Sequence, residues 1–174
     1  MKKFVILLLV VICVALVALP QPTNQDFLRI HIRADSNNDV DQAIKFVVRD
    51  AIVQYLSPLL VGATTKQKAM EILASQLQNI QHVCDKVLLS NGFAYTSTVS
   101  LCAETFPDRS YNGINLPSGV YDALIVNLGS GSGNNWWCVV YPPLCFVGGE
   151  PNGSNQVQYK SKLWEIVQQW LSNR

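Results

Sequence analysis

Charge is scarce in this chain and neither sign prevails: 13 Lys and Arg stand against 12 Asp and Glu in 174 residues. Setting aside Lys2 and Lys3 at the extreme N-terminus turns 13 against 12 into 11 against 12. Affinity for nucleic acid comes from many basic side chains meeting phosphates, so a near-neutral chain argues against that partner. It argues equally against tight electrostatic docking on anionic lipid. Histidine is scarcer still, with His31 and His82 the whole supply, so any imidazole base must be one of these. No CxxC pair and no Cys/His cluster with zinc-like spacing occurs, and neither a metal nor a small-molecule cofactor is expected. There is no internal repeat and no low-complexity tract. The length suits one domain with a core of its own.

What the chain does have begins with an apolar leader. "MKK" is a short basic start, and "FVILLLVVICVALVAL" adds sixteen residues without a charge before Pro20. That layout fits a Sec-type export signal. It falls short of the about 20 residues that a spanning helix normally needs, although a short anchor fits too. Ala18 is small enough to precede a cleavage site, whereas Leu16 is larger than such sites favour. Ile12 before Cys13 speaks against lipidation. The expected organisation is residues 1–19 as export signal or N-terminal anchor, 20–26 as polar linker, and 27–174 as one extracytoplasmic domain. Cys84, Cys102, Cys138 and Cys145 would then meet an oxidising compartment. Four cysteines allow three full pairings, and spacing does not choose among them.

Along that domain the hydrophobic period changes several times. "FLRIHIRA" alternates, with Leu28, Ile30 and Ile32 on one face and Arg29, His31 and Arg33 on the other, which predicts a half-buried strand. "DSNND" is a turn in which Ser36 or Asn38 can cap a helix. Ile44, Val47, Val48, Ala51, Ile52, Tyr55 and Leu56 then form a helical stripe. Pro58 and Gly62 interrupt it. Thr64 or Thr65 starts a second helix striped by Ala69, Ile72, Leu73, Leu77, Ile80, Val83, Val87 and Leu88. Gly92 suits its C-terminal end. Period two returns over 93–106, again over 120–128 and again over 136–141. A loop is expected over 106–119 and a mobile hairpin loop at "GSGSGNN". "SKLWEIVQQWLSNR" is expected to form an amphipathic C-terminal helix. The order β-α-α-β-β-β-α predicts an α+β fold, a mostly antiparallel sheet of about four strands with the helical hairpin and the C-terminal helix packed on it.

Several patterns invite chemistry and most yield to plainer readings. "GSGSG" lacks the helix start and the Lys-Ser/Thr that a phosphate loop requires, because Trp136 and Trp137 open a strand instead. A thiol hydrolase would need Cys138 or Cys145 beside a base. His31 fills that role only if the first and last strands are neighbours. "NGS" at Asn152 matches a glycosylation acceptor and equally well a turn. Asp39, Asp41 and Asp50 read as a solvated helix face, with Asp41–Lys45 favourable and Lys45–Arg49 unfavourable at i,i+4 spacing.

The most unusual stretch is "NNWWCVVYPPLCF" at 134–146. In a strand, Trp136, Cys138 and Val140 share one face, and Trp137, Val139 and Tyr141 the other. Pro142 and Pro143 remove two donors and stiffen the exit. Cys138 and Cys145 can bridge if the strand twists enough to bring their Cα atoms within about 7 Å. The alternatives are Cys84–Cys102 or four buried thiols. Paired tryptophans, tyrosine and rigid proline are also what protein-binding hot spots are made of. One tryptophan is expected buried and one partly exposed.

With "LRIHIRADSNNDVDQAIKFVVRDAI", "FPDRSY", "LPSGVYDALIVNLGSGSGNNWWCVVYPPLCF" and the closing "LWEIVQQW", the chain resembles the stage II sporulation protein R family of endospore-forming bacteria. A second set of matches is Asp41, Gln42, Lys45, Val48, Arg49 and Asp50, while Cys84 and Cys102 depart from the family pattern. The resemblance implies a signalling protein, not an enzyme. It would be made in the forespore and exported into the space between the two cells, either secreted or held by an N-terminal anchor. There it would activate a membrane-embedded aspartic protease of the mother cell, which processes a sigma-factor precursor. The expected contact residues are Trp136, Trp137, Tyr141, Pro142, Pro143 and Phe146, with Arg109 and Tyr111 as second choices. The competing expectation is an exported thiol hydrolase or wall-active enzyme using Cys138 or Cys145 with His31.

Overall fold

A computed structural model describes residues 26–111 and 114–144. The leader, the linker up to residue 25, the expected C-terminal helix, Cys145, Phe146 and Asn152 lie outside the described residues. Strand β1 (Leu28–Arg33) is followed by helices α1 (Asp39–Leu60) and α2 (Lys66–Ser90). Then come β2 (Ser97–Phe106), β3 (Arg109–Tyr111), β4 (Ile114–Leu116), β5 (Gly119–Leu128) and β6 (Asn135–Tyr141). No helix among the described residues is long and apolar enough to cross a membrane.

Both helices start where short polar side chains can satisfy orphan amides. The Asn38 side chain accepts from Asp41 N at 2.7 Å, and Thr65 accepts from Lys68 N at 3.1 Å. Such caps stabilise a helix by about 1 kcal/mol. Ile44, Val48, Ile52 and Leu56 of α1 and Ala69, Leu73, Ile80 and Leu88 of α2 are buried, the three-and-four spacing that lays one stripe of each helix on the core. Pro58 does not end α1, which runs on to Leu60 with Pro58 exposed. Gly92 adopts φ +81° just past α2, a conformation open to residues without a Cβ.

The sheet has the order β2-β5-β1-β6. It is mixed, not mostly antiparallel: β1 runs parallel to β5 and antiparallel to β6, and β2 is antiparallel to β5. The reason is that β1 inserts between β5 and β6, the two strands that local reading would join as a hairpin. "GSGSGNN" therefore crosses the end of β1 and is tied down there. Gly133 N donates to Ala34 O at 2.8 Å, Ser130 N to Asp35 Oδ1 at 2.6 Å and Asn134 N to Asn37 Oδ1 at 2.6 Å. A Cβ at Gly133 would run into the Ser36 carbonyl. The loop over 106–119 also gains structure, as β3 and β4 pair into a small second sheet.

Both faces of β1 are covered, so it is a central strand and not a half-exposed one. Leu28, Ile30, Ile32, Leu124, Val126, Cys138 and Val140 pack with the two helices. On the opposite face, helix-free among the described residues, Phe27, Phe106, Leu116, Tyr121, Ala123, Ile125, Val139 and Leu144 form a second cluster. Alternation fails at one point. The register slips between Leu28 and Arg29, and this bulge turns Tyr141 into the helix-side core with Trp136, Cys138 and Val140,. Its hydroxyl donates to Thr64 O at 2.7 Å.

Candidate functional site

The helix-free face carries the polar side chains of β1. Arg29 is fully buried and His31 is 5 % exposed, which for an arginine is rare without a partner. Arg29 Nη2 donates to Tyr111 Oη at 2.8 Å and Nη1 to Pro107 O at 3.5 Å. Its guanidinium lies 4.2 Å from the Phe106 ring centroid and 4.9 Å from that of Tyr121. Aromatic faces thus offset part of the desolvation cost that a carboxylate would normally cancel.

Glu104 joins the next two residues. It meets His31 Nδ1 at 2.9 Å and forms an ion pair with Arg33, which also donates to Asn127 Oδ1 at 3.0 Å. Glu104 and Phe106 pair in the ladder with Tyr121 and Gly119, yet they reach back to His31, Arg33 and Arg29. The far half of the β2–β5 ribbon therefore curls over β1, the direction in which twisted sheets coil. Burial pushes the His31 imidazole down to about 4. A hydrogen bond to Asn135 pulls the other way, and the Arg33 and Arg29 charges add to the depression. Glu104 sits against the same imidazole, at Nδ1, and is shared with Arg33. The imidazole is therefore neutral, donates from Nδ1 and carries a lone pair on Nε2. Among the described residues, Arg29 Nε has no hydrogen-bond partner.

Three of the expected contact residues meet at the rim of this face. Arg109 is exposed and its guanidinium lies 4.7 Å from the Trp137 ring centroid. Tyr111 Oη donates to Trp137 O at 3.2 Å, which ties β3 to β6. His31 packs on the same indole, with ring centroids 5.4 Å apart. The other expected residues lie elsewhere. Trp136 faces α1, where Arg49 stands 5.6 Å from its ring centroid. Both tryptophans are half-buried, against the expectation of one buried and one partly exposed. Tyr141, Pro142 and Pro143 are buried, and the Tyr141–Pro142 peptide is cis.

The strands that a Cys138/His31 pair requires as neighbours are indeed neighbours, but the pleat separates the two side chains. His31 stands opposite Trp137, and Cys138 stands opposite Ile30. Cys138 therefore points to the helix side and His31 away from it. Cys84 and Cys102 are both free thiols. Cys84 lies in the helix-side core and Cys102, two residues from Glu104 along β2, lies on the helix-free face, so no bridge joins them.

Asp39 and Asp50 of α1 are exposed as expected, but Asp41 and Lys45 depart from expectation. Asp41 is buried and accepts from Ser36 Oγ at 2.6 Å, Asn38 Nδ2 at 2.8 Å and Tyr95 Oη at 2.7 Å. The hydrogen bonds from Ser36 and Tyr95 hold its carboxyl below the usual range. Lys45 does not pair with Asp41. It is buried and donates to Gln42 Oε1 at 2.7 Å and to Asn134 O at 3.0 Å, and burial lowers its pKa. These residues clamp the β5–β6 crossing to the start of α1. Sequence reasoning missed Arg29, Arg33, Glu104 and Phe106. A signal was present: three basic side chains on one face of one strand repel each other unless the fold supplies partners.

Fold and site together define a small α+β domain with a cation–aromatic face on the side of its sheet opposite the two described helices. The chain belongs to the stage II sporulation protein R family, whose model matches residues 24–150. It is 32% identical over 120 residues to stage II sporulation protein R of Bacillus subtilis (strain 168), covering 69% of this chain and 54% of that protein. The chain thus spans about half the length of this curated relative. No solved structure matches it.

Proposed function

We propose that the protein is an exported signal of sporulation that activates a membrane-embedded aspartic protease of the mother cell, which then processes a sigma-factor precursor. It reaches the space between forespore and mother cell through its leader, which is removed or retained as an anchor. The observation that carries this reading is family membership over residues 24–150. The gathering of Arg109, Tyr111 and Trp137 on one rim supports a mechanism by contact. Binding activates only if the exported domain prefers the active, dimeric protease over the inactive one. A tenfold preference corresponds to about 1.4 kcal/mol, well within reach of one aromatic–arginine hot spot.

The Cys138–Cys145 bridge belongs to the same proposal, as the element that fixes the chain after β6. It is supported by Cys84 and Cys102 being free thiols while Cys138 is not one. The test of the function is precursor processing in sporulating cells that carry Trp137→Ala, with folding and export verified. Lost or strongly reduced processing supports the reading. Full processing removes the Trp137 rim from it.

A further inference from the structure

The helix-free face is unbalanced in charge. Among the described residues it holds the guanidiniums of Arg29, Arg33 and Arg109, and Glu104, engaged by His31 and Arg33, is the carboxylate that meets any of them. Arg29 is buried among aromatic rings and neutral acceptors, with Nε unpartnered. Arg109 makes no ion pair among the described residues, Asp108 beside it included, and is exposed over the Trp137 indole. A guanidinium lying over an indole can still offer its fork of donors to a carboxylate through two parallel hydrogen bonds. The positive charge of Arg29 behind it, which meets no carboxylate among the described residues, favours a negative over a neutral group at that rim.

We infer that the Arg109–Trp137 rim takes an acidic peptide segment of its protein partner, one carboxylate seated on Arg109 and the attached chain lying along the Trp137 ring. This rests on the reading of the face as a contact surface and adds the chemistry of what it touches. Its test requires no protease, so its failure and that of the signalling reading are distinguishable. The full-length chain, held in a neutral detergent, is titrated by fluorescence polarisation into a rhodamine-labelled, end-capped Gly-Glu repeat peptide and its Gly-Gln counterpart. The Glu peptide should bind, the Gln peptide should not, and binding should weaken as salt is raised. Arg109→Gln should weaken it roughly tenfold, the loss of one charge-assisted contact. Arg109→Lys, which keeps the charge but not the fork, should fall between. Because Arg109 is exposed and outside the core, these variants keep the fold. Equal binding of the two peptides, or undiminished binding by Arg109→Gln, overturns the inference. So does a chain that ignores the Glu peptide but binds phosphatidylglycerol vesicles.

Discussion

His31 ties the stability of this domain to pH in a way that can be worked from its surroundings. Its pKa falls from 6.5 in the open chain to about 4 in the fold, chiefly because the imidazole is buried. Above pH 6.5 both states hold the neutral ring and the folded domain has its full stability. Between pH 6.5 and 4 the unfolded chain binds a proton that the folded one refuses, so stability falls as pH falls. Each unit is worth about 1.4 kcal/mol, so lowering the pH from 7.5 to 5 removes about 2 kcal/mol, and reaching pH 4 removes about 3 kcal/mol. Asp41, held below its usual range, adds its own loss only at lower pH, as the solution passes below the ordinary carboxylate pKa. The measurement is urea unfolding at pH 7.5, 6.5, 5.5 and 5 for the wild type and for His31→Phe. Phenylalanine preserves the ring contacts to Phe106 and Trp137, and Glu104 retains Arg33. The difference between the two proteins should be flat above pH 6.5 and move by about 2 kcal/mol in favour of the variant by pH 5. Parallel curves across that range would refute the reasoning.

Other consequences follow from burial and bonding. Cys84 is fully buried and burial pushes its thiol up to about 12, whereas Cys102 is exposed. Maleimide should therefore label Cys102 within minutes and Cys84 only on unfolding, and intact mass should rise by two hydrogens on reduction if Cys138 and Cys145 are bridged. Asp41→Asn removes a charged acceptor from Ser36, Asn38 and Tyr95, and calorimetry should register a loss of about 1–3 kcal/mol.

Much of the fold was legible because it is written locally. The stripes of Ile44, Val48, Ile52 and Leu56 and of Leu73, Ile80 and Leu88 identify both helices and their inward faces. Alternation in Leu28–Arg33 gives the two faces of β1. Strand pairing is not local. Nothing near β1 says that it enters between β5 and β6, so the parallel pair and the fate of "GSGSGNN" escaped. Tyr141 was misplaced because a bulge, which leaves no mark on alternation, moves it to the other face. The site divides in the same way. Trp137, Arg109 and Tyr111 stand out by residue type, whereas Glu104 finds His31 across 73 positions of chain and looks like an ordinary strand residue until the sheet curls.

The central claim is that this domain acts by touching another polypeptide through the Arg109–Trp137 rim and does no bond chemistry with His31. Precursor processing, measured side by side for Trp137→Ala and His31→Phe at matched levels of folded, exported protein, tests it most directly. The account predicts that Trp137→Ala loses processing and His31→Phe retains it. Processing that survives Trp137→Ala and vanishes with His31→Phe would contradict it.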